Sequence, residues 1–243
     1  IADRAMLEAL LKVQKAIDRS RPHPGRLRLI LAVSSVMITS VVSVLWGPQA
    51  VISHASKVLP EVKRIQLGDA LALRIGQLAG PYCSSPEGSR TAEKLVARLN
   101  TPARLNLSVL PGQRSRPIAL PGGKVVLFEN MVTAYDDPAV TAGHVLFALA
   151  ASQNNDPVRL YLEQAGPLIS LGLIASNDLS EAQIDQLAKI ALSQPAIPAP
   201  RTALLNLFAK AEISVSPFAQ TLSGAEAQDL TAQDPFPTGS PYP

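Results

Sequence analysis

Cysteine is almost missing from this chain. Cys83 stands alone among 243 residues, so no internal disulfide can form and cysteine alone cannot build a metal site. Its side chain reads as a small, buried or half-buried one. Aromatic residues are scarce, at 4%, and the core must therefore come mainly from Leu, Val, Ile and Ala. Charge is sparse too: 17% Asp, Glu, Lys and Arg against 47% hydrophobic residues, which excludes a chain disordered throughout. No C-x-x-C pair, GxGxxG, P-loop or RNA-binding aromatic pattern occurs. The net charge of +3 is too small to imply a nucleic-acid partner, and none is expected. Ile1 stands where methionine would begin a chain, so a longer chain upstream is expected.

What the chain does have is one long charge-free run. From Leu29 to Ser56 there is no Asp, Glu, Lys or Arg. A helix needs roughly 20 mainly apolar residues to cross a bilayer, and this run fits, with a transmembrane helix expected over 28–53. Ser34, Ser35, Thr39, Ser40 and Ser43 dilute it, but their hydroxyls can bond back to the preceding turn and their size suits close helix contacts. Trp46 lies at one end, where an amphipathic ring favours the interface. Lys12, Lys15, Arg19, Arg21, Arg26 and Arg28 precede the run, whereas Lys57, Lys63 and Arg64 follow it. The positive-inside rule then puts the N-terminus in the cytoplasm. In a bacterium this is a single-pass inner-membrane protein with its main domain periplasmic. Residues 1–27 read as an amphipathic helix, with Met6, Leu7, Leu10, Leu11 and Ile17 at helical spacing, and a basic linker Arg21–Gly25. His23, between two prolines, reads as a solvated linker residue.

Beyond the span the pattern is mostly helical. Ile65–Leu78 reads as a helix ended by Gly80-Pro81, and Pro86 opens another to about Leu99 with Ser85 as N-cap. Leu105–Leu110 alternates like a strand. Ile118–Leu120 and Lys124–Phe128 are short extended runs around a Pro121-Gly122-Gly123 turn. Asp137-Pro138 starts a helix whose residues Ala139–Ala151 are apolar on nearly all sides, so it must be buried, and it is too short to span. Pro157 opens the next helix, Ser180-Glu181-Ala182-Gln183 is a capping box before Ile184–Leu192, and Pro195, Pro198 and Pro200 form a stiff connection. Thr202–Ala211 and Ser216–Leu222 read as the last helices. Residues 223–243, rich in Gly, Ala, Asp, Gln and Pro, read as a disordered tail or one draped on a partner.

In Ala119–Phe128 and the helix after Asp137, the chain resembles the HtpX/BepA-like zinc metallopeptidases, a gluzincin family often tied to membranes. The resemblance covers roughly Leu59–Leu222. It rests on A-L-P-G-G-K-V-V-L-F at 119–128, on Asp137-Pro138 and Ala142-Gly143 at the start of the next helix, and on Asp156-Pro157-Val158-Arg159 after it. It implies an α+β, mainly helical fold: a gluzincin-like domain over 57–222 with a small antiparallel sheet, preceded by one transmembrane helix. The family's spacing sets its two zinc histidines at Phe147 and Ala151, its catalytic glutamate at Ala148 and its third ligand near Ala199. Zinc needs lone pairs from nitrogen, sulfur or oxygen, and these four side chains offer none, so neither catalytic residues nor a cofactor is expected. His144, one turn before Phe147, lacks a partner at i+4 and reads as structural.

The resemblance therefore implies a catalytically inactive, membrane-anchored peptidase-like protein. Its partners would be the lipid bilayer and an integral-membrane protein or complex, for which it acts as a binding, scaffold or accessory subunit. The family holds peptides along a sheet edge, so Lys124, Val125, Val126, Leu127 and Phe128 are the expected peptide-binding strand. The alternative is an active zinc endopeptidase of envelope or membrane protein quality control whose ligands lie elsewhere.

Overall fold

A computed structural model of the chain describes residues 2–20, 24–101, 104–176, 178–193 and 197–241. The chain divides into two compact units, Ile1–Pro48 and Gln49–Pro243.

The first unit holds α1 (Ala2–Ser20) and the greater part of α2 (Pro24–Val58). Pro24 and Gly25, expected in a linker, belong to α2 instead; proline at a helix start gives up an N–H that has no intrahelical partner there. Arg21, Pro22 and His23 lie outside the described residues. Within α2, Arg28–Val58 is long and apolar enough to cross a membrane. The helix does not stop at Gly47-Pro48 but runs through Pro48 to Val58. A proline costs the helix a hydrogen bond, and burial of Ile52, Ala55 and Ser56 in the second unit offsets that loss.

In the second unit, α3 (Glu61–Ala79) and α4 (Pro86–Leu99) precede a three-stranded sheet of β1 (Asn106–Leu110), β2 (Ile118–Leu120) and β3 (Lys124–Phe128). The Ser85 hydroxyl accepts from the Gly88 N–H and caps α4 as its sequence requires. Between them the link from Gly80 leaves Cys83 exposed, with its N–H donating to the Val109 carbonyl. The cysteine therefore sits on the surface and is not part of the core.

The sheet is mixed rather than antiparallel, in the order β1-β3-β2. Strands β2 and β3 pair antiparallel through the Pro121–Gly123 turn, with Ile118 opposite Val126. Gly123 has φ +75°, and a Cβ there would stand 1.9 Å from the Arg104 carbonyl oxygen, so only glycine fits. Strand β1 pairs parallel with β3, Asn106 opposite Lys124 through Leu110 opposite Phe128. The sequence of β3 explains its place: Val125, Val126, Leu127 and Phe128 are all buried, an unbroken apolar run of the kind that fills a middle strand.

After α5 (Glu129–Thr133) comes the core helix α6 (Pro138–Asn154), which is buried along almost its whole length. The Asp137 carboxylate accepts from the Ala139 N–H and starts it. Helices α7 (Pro157–Ala165), α8 (Pro167–Ser176), α9 (Glu181–Ser193), α10 (Arg201–Ala211), α11 (Ser216–Ala219) and α12 (Ala225–Ala232) follow. Ser180 and Gln183 form the capping box at α9, the Ser180 N–H donating to Gln183 Oε1 at 2.9 Å. Helices α5, α10 and α11 and strands β2 and β3 pack on α6. Gly143 lets α11 approach so closely that a Cβ would meet Phe218 at 2.4 Å.

Residues 224–241 include α12 despite a composition rich in Gly, Ala, Asp, Gln and Pro. Leu230 of α12 is buried. Asp234 holds the segment down: its carboxylate accepts from Ser214 Oγ at 2.6 Å and from the N–H groups of Val215 at 3.1 Å and Ser216 at 3.0 Å. It also accepts from Ser216 Oγ and the Phe236 N–H. Burial pushes its carboxyl up, but these hydrogen bonds outweigh that and keep its pKa below the usual aspartate value. Two ion pairs add to the docking, Arg116–Glu226 at 2.8 Å and Arg201–Asp229 at 2.6 Å.

Candidate functional site: the carbon face of α6

Helical spacing brings Phe147, Ala148 and Ala151 onto one face of α6, and all three line the same small cavity, ≈ 20 Å³ in volume. That is room for about one water molecule. Ile197 reaches the cavity, whereas Ala199, two residues on, packs partly buried against the core without lining it. The structure thus brings together three of the four positions and leaves the fourth out of the cavity. Carbon side chains at these positions do not fit zinc, which needs nitrogen, sulfur or oxygen donors. Among the described residues, no three His, Cys, Asp or Glu side chains converge anywhere to hold a metal ion.

Two arginines and a tyrosine, none of which the sequence analysis singled out, complete the cavity wall. Arg116 lays its guanidinium over the Phe147 ring, 4.2 Å from the centroid, while Nη2 donates to Glu226 at 2.8 Å. Stacking of this kind suits a planar, weakly hydrated cation. Arg114 stands 5.4 Å from the centre of the Phe128 ring and donates from Nη1 to the Leu192 carbonyl at 3.1 Å. Asn130 fixes the backbone at Arg114 in both directions, accepting from its N–H at 3.2 Å and donating to its carbonyl at 2.9 Å. Tyr161 donates its hydroxyl to the Ala119 carbonyl of β2 at 2.7 Å. Burial pushes its phenol well above the usual range, against the opposing pull of Arg114, so it stays a donor. Every one of these contacts is long-range, and no local motif marks them.

His144 lies one turn before Phe147 and is 3% exposed. Its ring meets Phe218 edge to face, centroids 5.2 Å apart at 89°. Nδ1 is buried with no hydrogen-bond partner among the described residues. Burial, followed by the positive charge of Arg116, lowers its pKa from 6.5 to about 4, so the ring is neutral near pH 7. A neutral imidazole packed on a phenyl ring is a core side chain here.

The strand expected to bind peptide lies inside the sheet and not at its edge. Lys124–Phe128 is the middle strand of the sheet, bonded to β1 on one side and, over Lys124–Val126, to β2 on the other. Over Lys124–Val126 both edges of β3 are therefore taken by neighbouring strands. Lys124 is tied further by its ammonium to Asp69 at 2.7 Å. The outer strands are β1 and β2, and the Cys83 N–H already occupies the Val109 carbonyl on the outer side of β1. Neither a protein-family model nor a curated protein sequence matches this chain.

Proposed function

We propose that this chain is a membrane-anchored, catalytically inactive, metallopeptidase-like protein that serves as a binding, scaffold or accessory subunit of an inner-membrane complex. The observation that carries the reading is the carbon face of α6: Phe147, Ala148 and Ala151 share one cavity, which Arg116 closes from above the Phe147 ring. A hydrolase would need donors and a positioned water at such a place. Apolar side chains make packing sense there, since unliganded histidines would leave buried polar groups unpaired. The charge asymmetry about Leu29–Ser56 supports a cytoplasmic N-terminus and a periplasmic second unit.

The test uses the full chain, extracted from native membranes in mild detergent. The expected result is a stable integral-membrane partner in the purified complex and far less than one zinc per chain. One equivalent of zinc, together with proteolysis blocked by a chelator, would overturn the proposal in favour of an active endopeptidase. Removing residues 60–243 while keeping the span then separates two forms of the proposal. Retained association puts the contact on the span, and lost association puts it on the second unit.

A further inference from the structure

Among the described side chains of α1, five large apolar ones are left exposed: Met6, Leu7, Leu10, Leu11 and Val13 are 56–67% exposed. Leu10, Met6 and Val13 fall in one line, Leu7 and Leu11 beside it, while Glu8, Lys12 and Lys15 occupy the opposite side of the helix. Over residues 6–15, at 100° per residue, the apolar face is about 160° wide with Gln14 near its middle, and by sequence spacing Asp3 and Asp18 fall on the same side toward the two helix ends. A two-helix coiled coil uses a narrower seam of two positions per heptad. A face this broad, backed by charge, matches the interfacial layer of a bilayer instead, where the apolar side sinks to the acyl boundary and long cations stay in water.

Charge and chain length point the same way. Between Lys12 and Arg28 the sequence has six cations, Lys12, Lys15, Arg19, Arg21, Arg26 and Arg28, against one carboxylate, Asp18. Such a cluster is attracted to anionic headgroups. Residues 21–28 can extend no further than about 30 Å, so α1 is tethered close to where the apolar run of α2 begins. We infer that α1 is a second membrane element, lying flat in the headgroup region of an anionic leaflet with Met6, Leu7, Leu10, Leu11 and Val13 buried in lipid. This rests on Arg28–Val58 being a membrane span.

The experiment uses the full chain with Cys83→Ser, reconstituted into vesicles of phosphatidylcholine containing one-third phosphatidylglycerol. A bimane dye is attached to Leu10→Cys, Glu8→Cys or Val36→Cys in turn, and lipids carry nitroxides either near the headgroup or deep in the chain. The shallow nitroxide should quench the dye at position 10 at least about threefold more than the dye at position 8. Met6→Glu with Leu7→Glu should remove that difference, and pure phosphatidylcholine should reduce it. Equal quenching at positions 8 and 10 would overturn the inference, as would energy transfer between labelled chains without lipid quenching, which marks a second copy as the occupant. A difference unchanged in pure phosphatidylcholine would overturn the role given to charge. If the deep nitroxide fails to quench position 36, the span itself is wrong and this inference falls with it. Quenching at 36 without the difference at 10 removes the inference alone.

Discussion

Helices α2 and α6 are written in nearly the same alphabet and end in opposite surroundings. Each has a long stretch without a polar face, yet Val44 and Trp46 of α2 are 73% and 76% exposed, while Val145 and Leu146 of α6 are fully buried. Apolar composition alone does not say which solvent a helix will have. Length sets the two apart: α2 has 35 residues and α6 has 17, and only the first is long enough to cross a bilayer core. The ends agree with this difference. Asp137 and Pro138 seat α6 at a capped start inside the domain, whereas cations crowd the approach to α2.

The sharpest way to break the comparison is to put one charge into each helix. Ala148→Glu forces a long, charged side chain into a cavity of ≈ 20 Å³, at a position 2% exposed. Overpacking together with burial of a charge costs several kcal/mol, about 4 even beside Arg114 and Arg116, close to the whole stability of a small domain. Cooperative thermal unfolding of the second unit should be lost. Val36→Glu should leave that transition where it was, and instead weaken membrane insertion by about 3 kcal/mol, read as release of the chain by alkaline carbonate. A protein in which Val36→Glu melts the domain, or Ala148→Glu spares it, would show that the two helices do not have the solvents described.

Removing carbon from α6 should matter next. Phe147→Ala leaves a hole between Phe218, 6.2 Å away ring to ring, and the Arg116 guanidinium. The expected loss is about 3–5 kcal/mol by urea unfolding. Arg116→Ala in the same background measures the stack: a coupling of about 0.5–2 kcal/mol in the double-mutant cycle is expected. Zero coupling would make the stacking incidental.

His144 gives α6 a pH dependence of predictable sign. Its folded pKa, about 4, lies below its ordinary 6.5. Between these values the unfolded chain binds the extra proton, so stability falls as the pH drops from about 6.5 to about 4. A shift of this size amounts to about 3 kcal/mol over that window. His144→Leu keeps the contact with Phe218 and should flatten the slope in urea melts across the same range. A slope that survives the substitution belongs to other groups.

The elements most legible in sequence were those whose signals are local. Ser85 before Pro86, Asp137 before Pro138 and the Ser180–Gln183 box each predicted a helix start, and each cap forms. The unbroken apolar run of α6 predicted its burial for the same reason. Strand order was not legible from the turn alone: Pro121–Gly123 makes β2 and β3 antiparallel, but nothing adjacent to β1 says that it pairs parallel on the far side. The buried run Val125–Phe128 was the available signal for a middle strand. The walls of the α6 cavity were invisible for a similar reason, because Arg114, Arg116 and Tyr161 acquire their roles through partners distant in the chain. No pattern marked α8 either, since Pro167–Ser176 lacks both a polar face and a charged cap.

The last contrast is between composition and a single carboxylate. Residues 223–243 look like a loose tail, but Asp234 accepts hydrogen bonds from Ser214, Val215 and Ser216, which lie 18 to 20 positions earlier. Hydrogen bonds to an ionised group are each stronger than neutral ones, but part of this site faces solvent, so Asp234→Ala should cost only about 1–2 kcal/mol. The loss should be local: faster amide exchange in α12, with α6 unchanged. The sign with pH is the same as for His144, but the window lies lower. A carboxyl whose folded pKa lies below its free value stabilises fully above that free value, and the contribution disappears as the pH falls through the folded one. Protection in α12 should therefore persist through the window in which His144 weakens α6, and fail only in stronger acid. If α12 loosens together with α6 near pH 5, Asp234 is not what holds it.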